Sequence, residues 1–94
     1  MPSQVVTVAS SVGLHARPAS LLVKAAAASS LSCTIGRVGD KPVNAASMLS
    51  VLALGVKHGE ELEITVAEAD NAAEVLGTLV DIVATNHDED NPGA

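Results

Sequence analysis

A histidine and an arginine stand at the start of a predicted helix, within residues 12–19 (VGLHARPA). Gly13 can adopt a positive φ without steric cost, so the backbone can turn just before the histidine. Pro18 suits the first turn of a helix, where its missing N–H breaks no hydrogen bond. His15 therefore lies at the positive end of a helix, close to Arg17. This arrangement favours an anion, above all a phosphoryl group carried on His15 itself.

The chemistry expected of this stretch follows from its residue types. An imidazole is mostly neutral near pH 7 and offers a nucleophilic nitrogen, and the helix dipole opposes a positive charge there. The guanidinium of Arg17 offers a planar set of donors to phosphate oxygens. The backbone N–H groups of Ala16 and Arg17 are further predicted phosphate donors. The alternatives are that His15 caps the helix or binds a neighbouring carbonyl, and that Arg17 is a solvated first-turn residue.

Charge is unevenly distributed along the chain. The 94 residues carry a net charge of −6, which argues against binding to a polyanion such as nucleic acid. Residues 1–39 contain three cations, Arg17, Lys24 and Arg37, and no acid, whereas all eleven acids lie in residues 40–94. A positive field near His15 would favour both an anion and an acidic partner.

Composition limits the fold to one small domain. There is no Phe, Tyr or Trp, so the core must consist of Val, Leu, Ile and Ala, and this composition argues against functions that need ring stacking on nucleic-acid bases. Cys33 is the single cysteine and is predicted to be a buried small apolar residue. His58 and His87 lack metal-ligand spacing, so no metal and no cofactor is expected.

The sequence indicates a cytoplasmic location without direct insertion into a membrane. The first residues lack the basic region and apolar run of a signal peptide. The longest apolar stretch, residues 21–31, contains Lys24 and two serines and is too short to span a bilayer.

Hydrophobic periodicity predicts seven elements. In chain order they are a strand at 4–9, a helix at 16–28, a strand at 32–38, a short strand at 41–44, a helix at 48–53, a strand at 61–67 and a last helix that Asp70 or Asn71 caps. The first helix is expected to bury Leu21, Leu22, Ala25 and Ala28. In the last strand, apolar and polar residues alternate, which indicates one solvent-exposed face. The order predicts an α+β fold with a mainly antiparallel sheet covered on one face by the helices.

The short helix at 48–53 carries more apolar residues than one buried stripe needs. Ser47 is predicted to be its N-cap, and Gly55 follows where a left-handed residue often ends a helix. Met48, Leu49 and Leu52 must either be buried or partly exposed, and we expect Val51 and at least one of the two leucines to belong to the core.

Two stretches carry a resemblance to a known family. Residues 13–19 (GLHARPA) after the first strand, and residues 43–48 (VNAASM) followed by Leu54, Gly55 and Gly59, resemble the histidine-containing phosphocarrier family HPr of the phosphoenolpyruvate-dependent sugar phosphotransferase system. The resemblance covers residues 4–86, which gives an expected domain at 1–86 and an acidic, disordered tail at 87–94. It implies an open-faced β-sandwich of four strands and three helices. Val12 departs from the family, where a small polar residue is common.

The resemblance implies a function and partners. His15 would accept a phosphoryl group at Nδ1 from enzyme I, itself charged by phosphoenolpyruvate, and pass it to the IIA domain of a sugar permease. The protein would be a monomeric, stoichiometric carrier and not an enzyme that turns over a bound substrate. The implied docking residues are Leu21, Lys24, Met48, Leu49, Leu52 and Gly55. In some relatives the residue matching Ser47 is phosphorylated by a serine kinase linked to carbon-catabolite regulators, and the alternative here is a plain helix cap.

Two further functions remain open at this point. One is a carrier in a sister phosphorelay, serving nitrogen regulation or a dihydroxyacetone kinase. The other is a small α+β regulatory interaction domain whose histidine is never phosphorylated.

Overall fold

The order of the seven elements agrees with the prediction. The computed structural model describes residues 2–9 and 13–85. The elements are β1 Ser3–Thr7, α1 Ala16–Ala28, β2 Cys33–Arg37, β3 Val43–Asn44, α2 Met48–Ala53, β4 Glu61–Val66 and α3 Ala72–Ala84. The predicted bounds of α1 and α2 are confirmed.

The four strands form one antiparallel sheet in the order β1-β4-β2-β3. β4 lies in the middle, so that Ile64 pairs with Gln4 on one side and with Ile35 on the other. The alternation in β4 produces the predicted two faces, because Leu62 and Ile64 are buried whereas Glu61 and Glu63 are exposed. The open antiparallel sheet with three helices confirms the predicted α+β class.

The core lies between the buried face of the sheet and the helices. Its largest fully buried side chains are Leu22 from α1, Ile35 from β2, Leu62 and Ile64 from β4, and Leu79 from α3. The residues that α3 buries are Ala72, Leu76, Leu79 and Val83. Cys33 is buried and unbridged, as expected.

The buried face of α1 differs from the prediction. The residues that it buries are Pro18, Ala19, Leu22 and Ala26. Leu21 is 41% exposed and Ala28 is exposed. An alanine-rich helix presents small apolar residues on several sides, so its composition does not determine which side packs on the sheet.

Several predicted ends also require correction. β1 ends at Thr7, because the next two residues form hydrogen bonds outside the sheet. The N–H of Val8 donates to the carbonyl of Glu60, just before β4, and the N–H of Ala9 donates to the carbonyl of Val83 in α3. β3 has only two residues, and Pro42 before it has no N–H to donate. Asn71 occupies the N-cap position of α3, but its side chain makes no capping hydrogen bond.

Two predictions, concerning Val12 and the tail at 87–94, lie outside the described residues. Among the described residues, no helix is long and apolar enough to cross a membrane.

Candidate functional site

His15 is the N-cap residue of α1. Its backbone is extended, with φ −92° and ψ −169°, and its carbonyl accepts the N–H of Ala19 at 3.0 Å. Its side chain makes no capping hydrogen bond, so the interpretation of His15 as a side-chain helix cap is wrong. The imidazole therefore lies at the start of the helix without forming a hydrogen bond to the N–H groups of the first turn.

The two nitrogens of the His15 imidazole are not equivalent. Nε2 is buried, and no described residue forms a hydrogen bond with it. The residue as a whole is half-buried. Burial of Nε2 makes Nδ1 the candidate reactive nitrogen of this side chain.

The turn before His15 is fastened to a second part of the chain. The N–H of Leu14 donates to the carbonyl of Val56 at 3.0 Å, and the N–H of His15 donates to the carbonyl of Gly13 at 3.0 Å. Gly13 has a φ of 81°, which confirms the predicted turn. Leu14 and Val56 are each 5% exposed, so this joint is packed into the core.

The first turn of α1 presents groups that suit an anion. Ala16 and Arg17 are exposed, and Pro18 is buried beneath them. N–H groups in the first turn have no carbonyl one turn earlier and point outward along the helix axis. With the exposed Arg17 side chain beside them, these groups form a positive site next to His15.

Helix α2 packs against α1 and exposes apolar side chains. Leu49 is 82% exposed and Leu52 is 39% exposed, whereas Val51 is fully buried and Met48 is half-buried. The expectation that one of the two leucines belongs to the core is therefore wrong. Because α2 is short, only Val51 is directed fully inward, and both leucines remain available for contact.

The remaining predicted docking residues are also accessible. Lys24 is exposed on α1, and Leu21 lies on the flank of that helix. Gly55 has a φ of 61° and is exposed after the end of α2, as predicted. The exposed apolar set of Leu21, Leu49 and Leu52, with Lys24 and Gly55, is hereafter called the apolar surface.

Ser47 caps α2. Its Oγ accepts the N–H of Ser50 at 3.3 Å, and its carbonyl accepts the N–H of Val51 at 3.0 Å. The predicted N-cap is thus confirmed. Ser47 is half-buried and lies between β3 and α2 in the chain.

One feature near the site was missed by sequence reasoning. Arg37 and Glu60 form a two-point ion pair, with Arg37 Nε 2.8 Å from Glu60 Oε1 and Nη2 3.2 Å from Oε2. The same guanidinium donates to the carbonyls of Leu54 at 2.8 Å and Gly55 at 3.2 Å. The available signal was the position of Arg37, which shares the inward side of β2 with Cys33 and Ile35.

This ion pair changes the ionisation of both partners. Hydrogen bonds from Arg37, and from the N–H of Lys57, lower the pKa of Glu60 to about 2. The carboxylate in turn raises the pKa of Arg37, with a smaller contribution from Asp40. Both groups are therefore charged throughout the physiological range.

Comparison with known proteins identifies the family. Residues 2–88 match the family model described as the PTS HPr component phosphorylation site. The chain belongs to the HPr family of the phosphotransferase system. The phosphocarrier protein HPr of Streptomyces coelicolor is 47% identical over 77 residues, which cover 82% of each chain. That of Haloferax volcanii is 47% identical over 81 residues, covering 85% of this chain and 90% of the relative.

Solved HPr structures share the fold. The crystal structure of HPr from Thermoanaerobacter tengcongensis is 32% identical, with a TM-score of 0.79, and the match covers 88% of this chain and 91% of that one. The resemblance inferred from residues 13–19 and 43–48 is therefore confirmed, and the chain is an HPr-type phosphocarrier. Within residues 2–9 and 13–85, no cluster of His, Cys, Asp or Glu has the arrangement of a metal site.

Proposed function

We propose that His15 is the phosphoryl acceptor, receiving the group from phosphorylated enzyme I and passing it to the IIA domain of a sugar permease. The observation that carries this proposal is the half-buried His15 imidazole at the start of α1, whose Nε2 is buried, so that Nδ1 is the nitrogen proposed to react. Membership of the HPr family of the phosphotransferase system supports the proposal that the partners belong to this system.

The transfer step requires an unprotonated Nδ1. In the neutral tautomer that attacks, the proton resides on Nε2, and the Nδ1 lone pair forms the new bond to phosphorus. The bond between phosphorus and the donor group of enzyme I breaks, and its electron pair stays with the donor. The reverse exchange delivers the group to the IIA domain and regenerates neutral His15.

The start of α1 supports both states of this carrier. Before transfer, the imidazole stands at the N-terminal end of α1, where its side chain makes no capping hydrogen bond. After transfer, the N–H groups of Ala16 and Arg17, together with the Arg17 guanidinium, are placed to stabilise the phosphoryl oxygens. The carrier itself is used stoichiometrically, because the partners' active sites perform each step.

The apolar surface is the proposed docking site for both partners. Exposed leucines beside the cations Arg17 and Lys24 suit acidic partner surfaces with an apolar centre. One such surface used in turn by donor and acceptor is consistent with a monomeric carrier. Because phosphoenolpyruvate is a cytoplasmic metabolite, the exchange would take place in the cytoplasm.

Intact-mass measurement tests the proposal. The chain is incubated with enzyme I and phosphoenolpyruvate, then with a IIA domain. We expect one acid-labile phosphoryl increment that is lost on adding the IIA domain and absent in His15→Ala. His58→Ala, which removes an exposed histidine in the turn before β4, is the matched control and should still gain the increment.

Two results would contradict the proposal. The first is no increment under conditions that charge an established HPr, which would favour a non-phosphorylated interaction domain. The second is charging by a donor of a sister phosphorelay and not by enzyme I of sugar uptake.

A further inference from the structure

The segment that follows α2 is held on both sides by one ion pair. At its start, the Arg37 guanidinium binds the carbonyls of Leu54 and Gly55. At its end, Glu60 Oε2 accepts the N–H of Lys57 at 2.5 Å. Residues 54–57 are hereafter called the strap. Neither Arg37 nor Glu60 binds Val56 directly, but Val56 lies between Gly55, which Arg37 binds, and Lys57, which Glu60 binds.

Val56 is also the residue that holds the turn before His15. Its carbonyl accepts the N–H of Leu14, the neighbour of His15, at 3.0 Å. A continuous path of hydrogen bonds and backbone thus runs from the ion pair through the strap to Leu14, the residue before His15. The residue after Leu14, His15, is the N-cap of α1, so the position of Leu14 determines the position of the His15 backbone.

The geometry of the Arg37–Glu60 pair is better suited to positioning the strap than to stabilising the folded chain. The two side chains are 33% and 32% exposed, and ion pairs at such positions usually contribute little to the free energy of unfolding. Arginine, however, presents several donors in a rigid plane. Here that plane binds a carboxylate and two carbonyls at once, which fixes the strap relative to β2. A lysine, with a single ammonium group, cannot reproduce this set of contacts.

We propose that Arg37 and Glu60 are positioning residues that orient the His15 imidazole through the strap. Neither touches the phosphoryl group. They hold Val56 in the position where its carbonyl accepts the N–H of Leu14. That hydrogen bond fixes the backbone turn just before His15, where α1 begins. The catalytic consequence rests on the proposed function of His15, whereas the structural consequence does not.

Amide hydrogen exchange measured by NMR tests the structural part. The Arg37→Met variant keeps the length of the side chain and removes its donors. We expect the Leu14 amide to exchange roughly ten-fold faster or more, relative to the Ile64 amide in the middle of the sheet, because local opening no longer needs global unfolding. The matched control is Lys41→Met, which removes an exposed cation from the segment between β2 and β3. Its ratio of Leu14 to Ile64 exchange should equal that of the wild type.

The rate of His15 phosphorylation tests the catalytic part. With the concentration of enzyme I varied, we expect Arg37→Met and Glu60→Gln to lower the kcat of His15 phosphorylation. The Arg37→Lys variant should retain a kcat between those of Arg37→Met and the wild type. In the same variants the imidazole resonances of His15 should shift, which a role confined to overall stability would not produce.

Clear outcomes would overturn the positioning role. It fails if Leu14 and Ile64 lose protection in equal proportion, or if Arg37→Met leaves the Leu14 amide and the imidazole resonances unchanged. A wild-type chain that takes no phosphoryl group refutes the proposed function, while the exchange experiment still decides the role of Arg37 and Glu60.

Discussion

Gly13 faces the backbone carbonyl of Val56 so closely that a β-carbon on Gly13 would overlap it. The contact lies beside the hydrogen bond from Leu14 to the same carbonyl. The turn that carries His15 and the strap after α2 therefore approach as backbone against backbone. Only a residue without a side chain fits there.

The first prediction concerns Gly13→Ala. Its φ of 81° alone costs an alanine about 1 kcal/mol, and the overlap with Val56 adds more. The control is Gly39→Ala, with a φ of 87° and open space around the new methyl group. Urea unfolding should show that Gly13→Ala is the more destabilised by at least about 1 kcal/mol. Equal losses would show that the contact with Val56 is unimportant.

The second prediction concerns Arg17→Ala. We expect phosphoryl transfer from enzyme I to slow by roughly ten-fold or more, because a charged donor to phosphate is lost. The free energy of unfolding should change by less than about 0.5 kcal/mol, since the side chain is exposed. Rapid-quench kinetics measure the first quantity and urea unfolding the second. Unchanged kinetics would mean that the helix N–H groups suffice.

The third prediction concerns Leu49, which is 82% exposed. Leu49→Ala should raise the KM for enzyme I by roughly five-fold, since burial of a leucine in an interface is worth more than 1 kcal/mol. Val38→Ala removes an apolar side chain that is 53% exposed in the turn after β2 and should leave the KM unchanged. If both variants behave alike, the apolar surface is not the docking site.

The fourth prediction concerns pH. The pKa of Glu60 is lowered to about 2 in the folded chain, so on acidification the unfolded chain takes up this proton first. The contribution of Glu60 to stability, small for an ion pair this exposed, is therefore complete above the ordinary pKa of a glutamate, about 4.3, and is lost as the pH falls toward 2.

Unfolding of wild type and Glu60→Gln between pH 2 and pH 7 measures this contribution. The difference between their unfolding free energies should be largest near neutral pH and shrink below about pH 4.3. Glu61→Gln removes one exposed carboxylate without removing these hydrogen bonds and supplies the baseline. A difference that does not vary with pH would show that the bonds to Glu60 are not maintained in solution.

The fifth prediction concerns the cap of α2. Ser47→Ala should lower the free energy of unfolding by about 1 kcal/mol, because the N–H of Ser50 loses its acceptor. Ser47→Asp keeps an acceptor at this position and should recover most of that loss. Thermal and urea unfolding of the two variants decide whether the hydroxyl acts as a cap.

Local signals predicted the ends of α1 and α2 and the buried face of β4 well. Ser47 and Gly55 mark the two ends of α2, and Gly13 with Pro18 marks the start of α1, because caps and turns depend on a few neighbouring residues. The alternation around Leu62 likewise predicted which face of β4 is buried. These features need no knowledge of distant parts of the chain.

Other features were beyond sequence reasoning. The Arg37–Glu60 pair joins β2 to the residue before β4, and such a pairing leaves no periodic trace in the sequence. The orientation of α1 was predicted wrongly because alanines pack equally well on either side, so Leu21 was placed inward. Burial of Nε2 in preference to Nδ1 depends on the packed surroundings of His15 and not on its neighbours in the chain.

The position of β4 has a consequence for synthesis of the chain. Because β4 lies between β1 and β2, pairing Ser3 with Thr65, neither earlier strand has this neighbour until residues 61–66 have been made. A chain still on the ribosome before that point cannot complete its sheet. The turn that carries His15 is hydrogen-bonded to the strap, which stands just before β4 in the chain, so this turn is completed at the same stage of synthesis.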